Sequence, residues 1–135
     1  MSYQETLVSV TLDADASVGV YTGVPGLPGG PTNNAGLQYR FVKVTGEHQC
    51  GLATAATDVV VGVLQNKPQG VGHAATVALG GITHVEASAA IAAGDQVTAT
   101  ADGRAVTSTT NVKGIALHSA TAAGQLVPVL LRLGN

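Results

Sequence analysis

Two glycine-centred breaks constrain this chain more than any other feature. Gly80-Gly81 stands between Thr76–Leu79 and Ile82–Ala87, and Asp102-Gly103 stands between Val97–Ala101 and Arg104–Thr107. Each pair supplies residues at ease with positive φ, which the two-residue primed turns of β-hairpins require. The runs they join are short, apolar and too brief for helices. They predict two hairpins and, with the rest of the chain, an antiparallel all-β fold.

Other segments agree. Val8, Val10 and Leu12 alternate with Ser9 and Thr11, the pattern of a half-buried strand, and Asp13–Ser17 reads as a turn. Tyr39–Thr45 ends at Gly46, and Glu47–Leu52 pairs back across it. Val59–Leu64 is a continuous apolar run, as in a strand buried on both faces. Ser88–Gly94 predicts a single helical turn capped by Gly94. Two last strands are expected at Val112–Leu117 and Gln125–Leu133. Pro128, which cannot donate to a ladder, argues against a fully paired central position for the second. Gly62-Val63-Leu64 followed by Val77–Gly80 is echoed by Gly114–Leu117 followed by Val129–Gly134. The echo is either a duplicated strand-turn-strand unit or a chance product of Val/Leu/Gly-rich strands, and the sequence leaves both open.

The core must be built without rings. Apolar residues make up 45% of the chain but aromatics only 3%, namely Tyr3, Tyr21, Tyr39 and Phe41. Charged residues are 10%, far below the ~25% of ordinary soluble domains. So neutral a surface suits a chain that packs against other chains, and self-assembly is the expectation. The net charge is −2, and no Lys/Arg cluster offers the basic stripe that nucleic acid needs. The lone Cys50 excludes an internal disulfide. Neither a basic-then-apolar leader nor a ~20-residue apolar run is present, so neither secretion nor a membrane partner is expected.

Residues 23–36 repeat Gly at 23, 26 and 29, each followed two residues later by a proline, Pro25, Pro28 and Pro31. Three triplets are too few for a collagen helix, and an extended polyproline-like loop is the expectation. It reads either as a solvated linker or as a functional arm anchored by Leu27. The expected architecture is therefore a small barrel or β-clip-like domain over 37–135, preceded by an N-terminal strand and Gly/Pro-rich arm over 1–36.

Candidate chemistry is sparse. His48 and Cys50 lie two apart, as do His84 and Glu86, so each pair shares a strand face and offers zinc ligands or a thiol–imidazole pair. A closed zinc site needs about four ligands, and an ordinary polar strand face is the preferred reading for both pairs. Asp13 and Asp15 lack the Gly and distal Glu of a calcium loop. No phosphate loop or nucleophile elbow occurs. Neither catalysis nor any metal or cofactor is expected.

Five phrases recur in a definite order: Gly62-Val63-Leu64, Ile91–Val97, Asp102-Gly103-Arg104-Ala105-Val106, Gly114–Leu117 and Leu126–Leu131. Over about residues 38 to 133 this order resembles the head decoration, or capsid cement, proteins of tailed bacteriophages. The resemblance implies a structural virion protein on the outer surface of the head. It would be made in the host cytoplasm, often form trimers, and bind the major capsid protein to stabilise the shell. Under that reading Tyr3, Val8, Val10, Leu12, Tyr21, Pro25, Leu27 and Pro28 are the candidate contacts to capsid or neighbouring protomer, by strand addition or by the arm. A tail or fibre component is the alternative. A small ligand-binding β-domain is a further one, with the two histidine pairs as the place to look.

Overall fold

The structure, a computed structural model, describes residues 8–18, 38–68 and 70–133. It is all-β. Among the described residues ten strands run in order: β1 (Val8–Ala14), β2 (Phe41–Gly46), β3 (Gln49–Leu52), β4 (Val60–Leu64), β5 (Ala74–Gly80), β6 (Ile82–Glu86), β7 (Gln96–Ala99), β8 (Ala105–Thr107), β9 (Gly114–Ala116) and β10 (Leu126–Leu131).

The first five close into a barrel of order β1-β3-β2-β4-β5, and the last five form a sheet of order β6-β10-β9-β7-β8. All barrel pairs are antiparallel except β1–β3, where Asp13 and Ala14 lie parallel to Gln49 and Cys50. Opened at that parallel seam, the barrel reads β1-β5-β4-β2-β3. The second sheet has the same order, each strand five places later in the chain.

Registers coincide as well. Val63 faces Ala78 and Leu64 faces Val77; Ile115 faces Leu130 and Ala116 faces Val129. The parallel seam survives in the second unit as one bridge between Ala87 and Ala105. Backbone hydrogen bonds repeat position for position. Asp15 N–H donates to Cys50 O and Ser88 N–H to Ala105 O, both at 2.9 Å, while Gly72 and Gly124 donate to Ala14 O and Ala87 O, both at 2.8 Å. Tyr39 N–H reaches Leu64 O at 2.7 Å, and Gly94 N–H reaches Ala116 O at 2.8 Å. The echo between the Gly62 and Gly114 segments is thus the visible part of a whole repeated five-strand unit.

Core packing follows strand alternation. Inside the barrel lie Ala14, Val42, Cys50, Leu64, Ala75 and Val77, with Val18 and the inner faces of Val10 and Leu12. A second cluster joins the units: Phe41, Val60, Val63 and Ala78, facing outward from the barrel, pack on Val85, Val97, Val127 and Val129 of the second sheet. β4 therefore has apolar neighbours on both faces, as its unbroken run predicts, with a register shift against β2 at Val42/Lys43.

Four local expectations need correction. Gly80-Gly81 joins no hairpin, because β5 pairs with β1 and β4 while β6 pairs with β10. Gly81, at φ 89°, instead carries the chain from one unit to the other. The hairpin β7–β8 does form, but its turn spans Thr100–Gly103, closed by Gly103 N–H to Thr100 O at 3.1 Å. Only Gly103 there has positive φ, so this is not a primed turn. Ser88–Gly94 makes no helix; Ile91 bridges Ala120, and a tight turn follows with Asp95 N–H on Ala92 O. Finally, β10 is central, between β6 and β9. Pro128 is tolerated because its carbonyl accepts from Leu117 N–H at 2.8 Å, while its missing donor falls just past Ala116, where β9 ends.

Candidate functional site

The N-terminal candidates divide in three. Val10 and Leu12 turn their apolar faces into the barrel of their own chain. Val8, at the start of β1, is 55% exposed. Tyr3, Tyr21, Pro25, Leu27 and Pro28 lie outside the described residues.

The histidine pairs do not assemble a site. His48 is an exposed turn residue at φ 53°, whereas Cys50 faces the barrel interior with no exposure. Burial, with Asp15 and Asp13 nearby, pushes the Cys50 thiol up to about 11, so it remains protonated. His84 and Glu86 lie on the outward face of β6, in the other unit. The His84 ring meets Tyr39 edge-on, with centroids 6.2 Å apart. Among the described residues, no group of three or more His, Cys, Asp or Glu side chains is placed to hold a metal ion.

Glu86 has structural company. It accepts from Arg40 Nη2 at 3.2 Å and lies 3.6 Å from Arg104 Nη1. Arg40 Nη1 also donates to Asp102 O at 2.8 Å, and Arg104 Nε donates to Asp102 Oδ2 at 2.9 Å. Arg40 belongs to the first unit and the other three to the second, so this network clasps the units at their seam. At Asp102, burial raises the carboxyl pKa, but hydrogen bonds from Thr100 and Arg104 and the two guanidinium charges bring it below its ordinary value.

The other acids hold loops. Asp15 accepts from Ser17 N–H at 2.8 Å, Ser17 Oγ at 2.6 Å and Thr45 Oγ1 at 2.7 Å. Burial raises its pKa, yet these bonds leave it lowered overall. Asp58 accepts from the Thr54 and Ala55 amides and from Lys43 Nζ, which lowers it to about 2. A groove of about 400 Å³ beside it is lined by Thr57, Val59, Asn111 and Lys113, without a histidine or cysteine.

One feature was missed from the sequence. On β10, Leu126 and Leu130 point away from the core and are 47% and 38% exposed, and Leu117 beyond β9 is 45% exposed. The signal was present: in Leu126–Leu131 both alternating sets are apolar, so the strand has an apolar side on each face of the sheet.

The sequence profile described as phage cement protein matches residues 31–133. The chain belongs to the phage cement protein family. That membership makes it a structural component of the phage virion. The fold has a counterpart among solved structures in the crystal structure of the head fiber gp8.5 N base of bacteriophage phi29. The two share 24% identity with a TM-score of 0.66, covering 94% of this chain and 95% of that one. No curated protein sequence matches this cement protein.

Proposed function

We propose that this cement protein binds the outside of an assembled phage head, on the major capsid protein, as a homo-oligomer with trimer as the expected form, and stabilises the shell. The observation that carries the proposal is family membership over most of the chain. The low charge content of the chain agrees with a surface made for packing against other chains. Many copies each adding modest interface across shell joints give a large collective effect.

β1 is a stave of the barrel, so the proposed docking arm within 1–36 is sought outside β1, in 19–36 first. The test uses heads lacking this protein. Purified protein should co-sediment with them and raise the temperature at which they release DNA. Replacing 19–36 by a Gly/Ser linker of equal length, with β1 kept, should abolish co-sedimentation. Undiminished binding would overturn the arm, and failure of the intact chain to bind would overturn the head reading.

A second reading is a fibre base, favoured by the likeness to the phi29 head fiber base. Image reconstruction separates the two, since cement follows the shell lattice and a fibre base projects a distal shaft.

A further inference from the structure

The repeated unit places two equivalent outward faces side by side for comparison: both have an apolar centre, but one is covered and the other is part exposed. On the first unit a cross-strand row runs Ser9, Ala78, Val63, Phe41. Its Ala78–Val63–Phe41 end is fully buried under the second unit. The next row, left to solvent, is Thr11 beside Thr76. On the second unit the matching rows are Ile82, Leu130, Ile115, Gln96 and then His84 beside Pro128. Ser9 and Thr76 are answered here by the apolar Ile82 and Pro128, while Thr11 is answered by the polar His84 and the buried Phe41 by Gln96. Ile82, Ile115 and Pro128 are half-buried and the Tyr39 ring meets His84, but Leu130 and Leu126 keep 38% and 47% of their surface exposed.

A contiguous apolar sheet face in water costs about 25 cal/mol per Å² and marks an interaction surface rather than scattered exposure. We propose that the outward face of the β6-β10-β9 sheet, centred on Leu130 and Leu126, is the surface through which copies of this chain associate. Two observations favour a second copy as occupant. The equivalent face of the first unit is already an interface, and what covers it is a unit of the same fold. In addition, the acid on the face, Glu86, is paired with Arg40 and Arg104, so it presents no unpaired negative charge to a second copy. The proposal rests on the self-association part of the function proposed above and is independent of head binding.

The test is the solution mass of the full chain by light scattering after size exclusion. The wild type should run as an oligomer. Leu130→Asp combined with Leu126→Asp should run at monomer mass with a cooperative thermal transition, and Thr11→Asp on the equivalent face should stay oligomeric. An oligomeric double variant overturns the surface. A wild type that is monomeric at high concentration overturns self-association in solution, while co-sedimentation with heads still tests the head reading separately. Should the double variant fail to fold, Leu126→Cys serves instead. Its thiol should react with a maleimide on the order of ten-fold more slowly in concentrated than in dilute protein, and a concentration-independent rate overturns the proposal.

Discussion

His48 and Gly103 occupy the same corner of the two units. Each sits in the hairpin turn between the fourth and fifth strands of its sheet order, β2–β3 for one and β7–β8 for the other, with φ of 53° and 76°. One is a histidine held in left-handed backbone; the other is the residue that pays nothing there. His48→Gly should therefore raise stability by about 0.5–1 kcal/mol, seen as a higher Tm. Gly103→Ala should do the reverse and more. A Cβ at Gly103 would meet Leu52 Cδ1 at 2.6 Å and Phe41 O at 3.0 Å, so a loss of about 2 kcal/mol or more is expected by denaturant titration.

The seam clasp predicts non-additivity. Glu86→Ala leaves the Arg40 guanidinium, only 15% exposed at its side chain, without its carboxylate, and should cost about 1–3 kcal/mol. Arg40→Ala should cost a similar amount. The double variant should be less destabilised than the sum of the singles, as a thermodynamic cycle measured by chemical denaturation will show.

Asp58 sets an acid-side dependence. Its folded pKa, about 2, lies below the ordinary carboxylate value of 3.8. Its contribution is therefore complete above about pH 4 and is lost as pH falls toward 2. Asp58→Asn should lower Tm at neutral pH and flatten the fall in Tm between pH 4 and 2. An unchanged slope would show that the Lys43 and Thr54 contacts contribute nothing to it.

Cys50 predicts silence. With its thiol buried and raised to about 11, the native protein should show negligible labelling by a thiol reagent at pH 8, and one equivalent after denaturation. Deprotonation is favoured by unfolding, so the Cys50 contribution to stability is full below about pH 9 and declines toward pH 11. Cys50→Ser should remove that alkaline decline.

Local pattern carried most of the strand assignments into the fold. Val60–Leu64 is buried on both faces, and Val127, Val129 and Leu131 form the inner face of β10, because alternation and unbroken apolar runs report burial directly. Pairing was less legible. Gly80-Gly81 has hairpin chemistry, yet the strands beside it find better partners: β5 lies between β1 and β4, and β6 takes β10. A turn signal says that the chain reverses, not which sheet it reverses into. The repeated unit was faint for a related reason. Its conserved quantity is register and backbone hydrogen bonding, and equivalent sites carry Phe41 against Gln96 or Thr76 against Pro128. The outward apolar face went unseen because exposure of Leu130 depends on what lies above the sheet.

The parallel seam has a kinetic meaning. β1 must find β5, more than sixty residues further along, and then lie beside β3 before the barrel shuts. Contacts so distant in sequence form late, after the loop between them has been closed at an entropic cost. The β2–β3 and β7–β8 hairpins, with the shortest loops, are therefore expected to form first and the N-terminal strand last, like a key turned in an assembled lock. Until it does, the edges of β5 and β3 stay open to strands from other chains.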